Sequence, residues 1–311
     1  MKFEVCRFVR LLGIALVWAW VLAVGSAAVR AQESEDDKDK IPPPVDLMLT
    51  TGDQVGIQCT YFGGMHKKES VPVILLHQFN GNRHDWDDLA LYLQKTYGFA
   101  LIAPDLRGHG NSTSQGARKL LASSMPLDQY PLMVQRDLDA VKQHLMQRNN
   151  NGELNINKLT VVGAEMGAIV GLLWTQSDWS WPVLTTGKQG QDVRALAMIS
   201  PPFVFKNLKL TELAQNGPVQ MAVRRDISVY IAVGKSDSKA LSDAKRIYSL
   251  FENYHKAAMA KAETTDLFFD AMSTKLQGDK LIEEKSLKLG ERIGEFIDVR
   301  VANQSFPWSE R

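Results

Sequence analysis

Cysteine is nearly missing from this 311-residue sequence, which holds only Cys6 and Cys59. Cys6 falls in a segment expected to be removed, so the mature chain has no internal disulfide and no cysteine-based metal site. An excess of either charge is missing as well. Thirty-six basic residues face 35 acidic ones, a formal net charge of +1, so no broad field gathers nucleic acid or anionic lipid. Histidine is scarce, with six residues of which the last is His255. A catalytic imidazole near the end of the chain is thereby excluded. No internal repeat is visible, and the Met and Trp residues read as core rather than cofactor contacts, so no cofactor or metal is expected. What is there is ordinary for one globular domain: 45% hydrophobic and 23% charged residues, enough to bury one sizeable core.

Residues 1–31 read as an export signal. Lys2, Arg7 and Arg10 make a basic start, Leu11 to Val24 is uncharged and apolar, and Gly25-Ser-Ala-Ala28 and Val29-Arg-Ala31 offer small residues for cleavage. Left uncleaved, the same stretch approaches the roughly 20 residues of a membrane anchor. Residues 32–44 are charged and then proline-locked, the composition of a disordered spacer. The domain proper is expected over 45–300, with a tail at 301–311 whose Phe306 and Trp308 could dock on the body.

From Val45 the pattern alternates. Asp46 to Thr50 and Val55 to Phe62 read as an opening hairpin around Thr51-Gly-Asp53. Val71-Pro-Val-Ile-Leu-Leu76 is continuously apolar, as in a strand covered on both faces of a parallel sheet. Helices are expected at Asp85–Tyr97, Pro131–Gln147, Lys239–Ala262 and Leu281–Ile297, and further strands at Phe99–Ala103, Val193–Ile199, Ile227–Val233 and Thr265–Met272. Only Phe203 to Arg225 separates two of those strands, too little for a cap domain and enough for a small helical flap.

The stretch that organises the rest is Leu159 to Trp174. Thr160 to Val162 is a β-branched run, Ala168 onward is apolar and helix-capable, and Gly163-Ala-Glu-Met-Gly167 between them is a sharp strand-to-helix turn. Such a turn lifts its central side chain above the sheet. Here that side chain is Glu165.

Four motifs now stand in order: His77-x-Phe-x-Gly81 before a helix carrying Trp86, Ala103-Pro-Asp-Leu-Arg-Gly-His-Gly110, the Gly163–Gly167 turn, and Val233-Gly-Lys-Ser-Asp237. Together they resemble the α/β-hydrolase superfamily, in its esterase, lipase and serine-peptidase-like branch, over about residues 46 to 298. The resemblance implies an α/β-hydrolase fold, a mostly parallel twisted sheet with helices on both faces and a minimal cap or none. It places Glu165 at the nucleophile position, Asp237 at the acid position, and the oxyanion-hole amides at Phe79 and Met166. The histidine base belongs in the loop after the last strand, yet Ser273-Thr-Lys-Leu-Gln-Gly-Asp279 holds none. His77, Gln78, Lys275 and Gln277 are the pocket candidates. Asp237 could equally cap the helix that follows it, and His77 and His109 could simply pack loops.

At the first turn of its helix Glu165 is expected to be ionised. It could bend back into the oxyanion hole or reach across the cleft to an ion-pair network with Lys275 and Asp237; without a cation there, one carboxylate's pKa should rise. Three functional classes follow: an exported, catalytically degenerate homologue that keeps a pocket for a small acyl-type ligand or a protein partner; an ester or amide hydrolase using Glu165 with an unidentified base; or a structural, envelope-associated domain. Nucleic acid is not an expected partner, and a membrane is one only if the N-terminal segment stays uncleaved.

Overall fold

In the computed structural model the described residues are 41–185, 187–259 and 265–311. The expected export segment and residues 32–40 of the spacer lie outside them. Pro42 already belongs to the folded unit that runs to Arg311, and its carbonyl accepts the Gln94 amide at 2.9 Å.

The main sheet has eight strands: β1 (Val45–Thr50), β2 (Gly56–Phe62), β3 (Pro72–Leu76), β4 (Ala100–Pro104), β5 (Leu159–Ala164), β6 (Val193–Ile199), β7 (Ser228–Gly234) and β8 (Leu267–Met272). They lie in the order β1-β2-β4-β3-β5-β6-β7-β8. The opening hairpin pairs antiparallel and joins β4 antiparallel, while every pair from β4 to β8 is parallel. Parallel strands need both faces covered, and these have them covered. Ile74, Leu76, Val161, Leu196 and Ile231 point into one apolar layer, and Val73, Leu75, Val162, Ala197 and Ala232 into the other.

Helix α1 (Asp87–Tyr97), α2 (Leu138–Asn150), α3 (Met166–Ser180), α4 (Pro218–Asp226), α5 (Ser238–Met259) and α6 (Leu289–Ile297) supply the covering layers. Apolar side chains of α3 fill the first layer, and those of α1 and α6 the second. Gly98, left-handed at φ 68°, ends α1. Where a helix is expected over 131–147, the chain instead starts a helical turn at Gln129, widens into a π turn over Met133–Asp137 and continues as α2. The widened turn coincides with buried Asp137, whose carboxylate accepts the backbone and guanidinium N–H groups of Arg107.

The closing helix is also shorter than its periodicity suggests. Glu284 accepts the Ser286 amide, Lys288 takes a left-handed φ of 53°, and only Leu289–Ile297 remains as α6. Residues 203–217 form no cap domain: a short hairpin, Val204–Phe205 with Leu208–Lys209, leads into α4. Among the described residues no helix is long and apolar enough to cross a membrane.

Candidate functional site

The carboxyl ends of β5, β6 and β7 are stepped by backbone bonds that continue the sheet one residue further. Glu165 N–H donates to Ile199 O at 2.8 Å and Ser200 N–H to Ala232 O at 2.7 Å. These bonds bring Glu165, Ser200 and Gly234 to one rim. Glycine is required on both sides of Glu165. A Cβ on Gly163 would lie 2.5 Å from Gly167 backbone, and one on Gly167 would lie 2.1 Å from the Leu76 carbonyl. The turn between them holds Glu165 at φ 44°, ψ −107°, a strained conformation for a side-chain-bearing residue that costs on the order of 1–3 kcal/mol.

The Glu165 side chain does not bend back. It makes no capping hydrogen bond to its own helix and reaches the loop after β8, where a Cβ on Gly278 would meet its Oε1 at 3.2 Å and Gln78 Oε1 at 1.9 Å. Gln78 Oε1 accepts the Asp279 amide at 3.2 Å. Burial pushes the Glu165 carboxyl above the ordinary glutamate value, and the negative charges of Asp279 and Asp237 push it the same way. Of the two outcomes the sequence leaves open, an ion pair or a raised carboxylate pKa, the direction here is the second, because the carboxyl is buried near other carboxylates. The expected ion-pair network is corrected: Lys275 is exposed, and the charges acting on Glu165 are those of Asp279 and Asp237, not a lysine.

Asp237 is exposed and caps α5, its Oδ1 accepting the Ala240 amide at 2.9 Å and its carbonyl the Leu241 amide at 3.0 Å. Gln277 occupies the region where a base is wanted. Its Oε1 accepts from Ser200 Oγ at 2.6 Å and from Gly234 N at 3.4 Å, and its Nε2 donates to Gly234 O at 2.8 Å. Ser200 Oγ in turn accepts the Gly278 amide at 3.0 Å. The loop is therefore stitched to the ends of β6 and β7 by an amide side chain that cannot take a proton at ordinary pH.

His77 is buried and fully engaged. Leu106 N–H donates to its Nε2 at 3.0 Å, so the proton sits on Nδ1, which donates to Gln78 O at 2.7 Å. Burial lowers its pKa, and it ties the loop after β3 to the loop after β4. His109 bonds Arg107 O through Nδ1 at 3.0 Å, and burial with the neighbouring His77 lowers it to about 4. Among the described residues neither is hydrogen-bonded to Glu165, and the buried Nε2 of His109 is left without a partner.

Phe79 and Met166 retain backbone amides that no described protein acceptor takes up. The Phe79 ring packs 5.5 Å from both His109 and Phe205, and Tyr130 lies 5.8 Å from Phe205. Lys206 on the flap hairpin sets its ammonium 5.2 Å over Phe79, 5.9 Å over Phe205 and 6.0 Å over Tyr130. Sequence reading missed Ser200, Tyr130, Phe205, Lys206 and Asp279. The Ser200-Pro-Pro202 strand ending was the one signal available; the aromatic cluster joins three segments with no local pattern. Among the described residues no group of three or more His, Cys, Asp or Glu is arranged to hold a metal ion.

A family model described as alpha/beta hydrolase fold matches residues 71–217, the stretch that holds the strained Gly163–Gly167 elbow and the strands beside it. The chain has the α/β-hydrolase fold. Solved α/β hydrolases with similar structures include an esterase of Pyrococcus furiosus, at 16% identity and a TM-score of 0.57 over 83% of this chain and 93% of that one. A dienelactone hydrolase of Anabaena variabilis is similar at 13% identity and a TM-score of 0.56, over 84% of this chain and 100% of that one. No curated protein matches the sequence. At these identities the α/β-hydrolase likeness is one of fold.

Proposed function

We propose that this chain is an exported α/β-hydrolase-fold protein that has given up hydrolysis and keeps the cleft for binding a small acyl-type ligand or a partner protein. One observation carries the reading. Gln277, in the loop where the fold wants an imidazole, has both ends of its amide committed to Ser200 and Gly234, while Glu165 faces carboxylates rather than a base. An ester formed on Glu165 would have no group placed to activate water against it. Export rests on the basic start, apolar run and small-residue exit of residues 1–31.

The purified chain should turn over neither short-chain aryl esters nor amides. A rate of ordinary enzyme size, on the order of 1–1000 per second, lost in Glu165→Gln, would establish the opposite reading. That second reading, a carboxylate nucleophile, is favoured by the strained elbow and the two untaken amides of Phe79 and Met166, which are what acyl-transfer chemistry needs. Ligand retention is tested by melting the protein in the presence of small acyl compounds, since a compound held only by the folded state raises the melting temperature.

A further inference from the structure

The opposite rim of the sheet, at the amino ends of β5 and β6, carries a track that grips an extended peptide. Residues 303–311 leave the helical turn Asp298–Ala302 and cross this rim. Asn155 Nδ2 donates to the Phe306 carbonyl at 2.8 Å, Asn157 Nδ2 to Pro307 O at 2.9 Å, and Asn149 Nδ2 to Ser309 O at 3.0 Å. Asn150 brackets Arg311, its Oδ1 accepting the backbone amide at 3.0 Å and its Nδ2 donating to the carbonyl. Four asparagines thus hold main-chain groups, which any sequence offers.

Side chains are read separately. Phe306 lies 4.8 Å from the Arg194 guanidinium, and Trp308 lies 3.7 Å under the Lys68 ammonium and donates to Asn149 O at 3.3 Å. Arg311 enters a recess where its guanidinium meets the Asp192 carboxylate and the Lys188 carbonyl. Its side chain is 8% exposed and that of Asp192 is fully buried. Main-chain bonds for affinity and side-chain pockets for selectivity are the two halves of extended-peptide recognition. The joint to the body, Asn303–Ser305, is exposed.

We propose that this track is a recognition site for an extended Phe-Pro-Trp-Ser-x-Arg segment, filled by the chain's own residues 306–311 and able to take the same segment from a second copy. Exchange keeps every contact and changes only which chain supplies the peptide, so it is a low-cost route to joined copies. The short joint gives the chain's own segment a high effective concentration, roughly millimolar, so self-filling prevails in dilute solution. Asn155 precedes β5 and Asp192 precedes β6, whose other ends carry Glu165 and Ser200. Peptide on the track therefore lies at the rim opposite Glu165 and Ser200.

The test uses the full chain carrying Trp308→Ala and Arg311→Ala, with a fluorescent peptide of residues 303–311 added in trans. Saturable binding is expected, at least about 10-fold tighter than to the natural chain, whose own segment competes, and lost when Asn155→Ala and Asn157→Ala are added. No saturation of the folded double variant, or equal binding by a peptide with the same two replacements, would overturn the proposal. If the double variant does not fold, the natural chain decides. A peptide carrying a photoreactive group in place of Phe306 must crosslink between residues 149 and 194 in competition with unlabelled peptide, and crosslinks elsewhere would reject the site. Light scattering on concentrated natural chain should show copies joined, and the double variant should remain single; a natural chain that stays monomeric throughout would reject exchange.

Discussion

Burial and the charges of Asp279 and Asp237 hold the Glu165 carboxyl above its ordinary value of 4.5, and this fixes the sign of a pH effect. Between the ordinary value and the raised folded one, the folded chain keeps a proton that the unfolded chain has lost, so stability falls as pH rises through that interval. The contribution is complete below about 4.5 and gone above the folded value. Glu165→Gln removes the loss. It should melt higher than the natural chain at pH 7, with the gap closing toward pH 4, as followed by thermal scans across pH. A larger change is expected from Glu165→Ser combined with Gln277→His. Gln277 lies next to Gly278, and Gly278 borders Glu165, so the two replacements return a hydroxyl and an imidazole to neighbouring positions. A trace of esterase activity above either single variant is expected with nitrophenyl esters; none with a folded protein would show that Asp237, occupied as a helix cap, cannot orient the new base. The missing hydroxyl and imidazole were legible in the sequence because absence needs no geometry. That Gln277 reaches back to Ser200 was not, because the bond spans 77 residues and glutamine carries no positional signature.

The elbow is the element whose sequence and structure agree most closely, for a steric reason. Gly163 and Gly167 are spaced so that strand, turn and α3 pass within contact of each other and of the end of β3, and no other residue fits either place. Gly167→Ala would drive a methyl into the Leu76 carbonyl, and a loss of about 3 kcal/mol or more is expected from the overpacking, measured by urea unfolding. Strands covered on both faces were legible for the same kind of reason, since an uninterrupted apolar run such as Val73 to Leu76 has few other uses. Helix ends were less so. The break at Lys288 rests on one left-handed residue and a Glu284 side-chain bond, features that heptad-like periodicity over 281–297 conceals. The flap hairpin escaped for want of any turn pair such as Asn-Gly, and its Lys206 matters only through rings from two distant segments.

Across the whole molecule, three segments far apart in sequence meet at Arg107. Its guanidinium is fully buried and bonds Asp137 on the π turn at 2.8 and 2.9 Å, Asp53 in the opening hairpin at 2.9 and 3.1 Å, and Gln129 at 3.1 Å. Arg107→Met should cost about 3–5 kcal/mol, because a carboxylate is left buried without its counter-charge. Denaturant melts of the variant test this, and a cost below about 1 kcal/mol would mean that water replaces the guanidinium. The order of the strands has a consequence in time. The central strand β5 pairs with β3 through Val73 and Thr160, so α1, β4 and α2, which lie between them in sequence, must be made or held aside before the middle of the sheet can close. Long loops delay such closure, and refolding on the order of milliseconds to seconds is expected. Under the export proposed above, such slowness would leave the polypeptide threadable for longer.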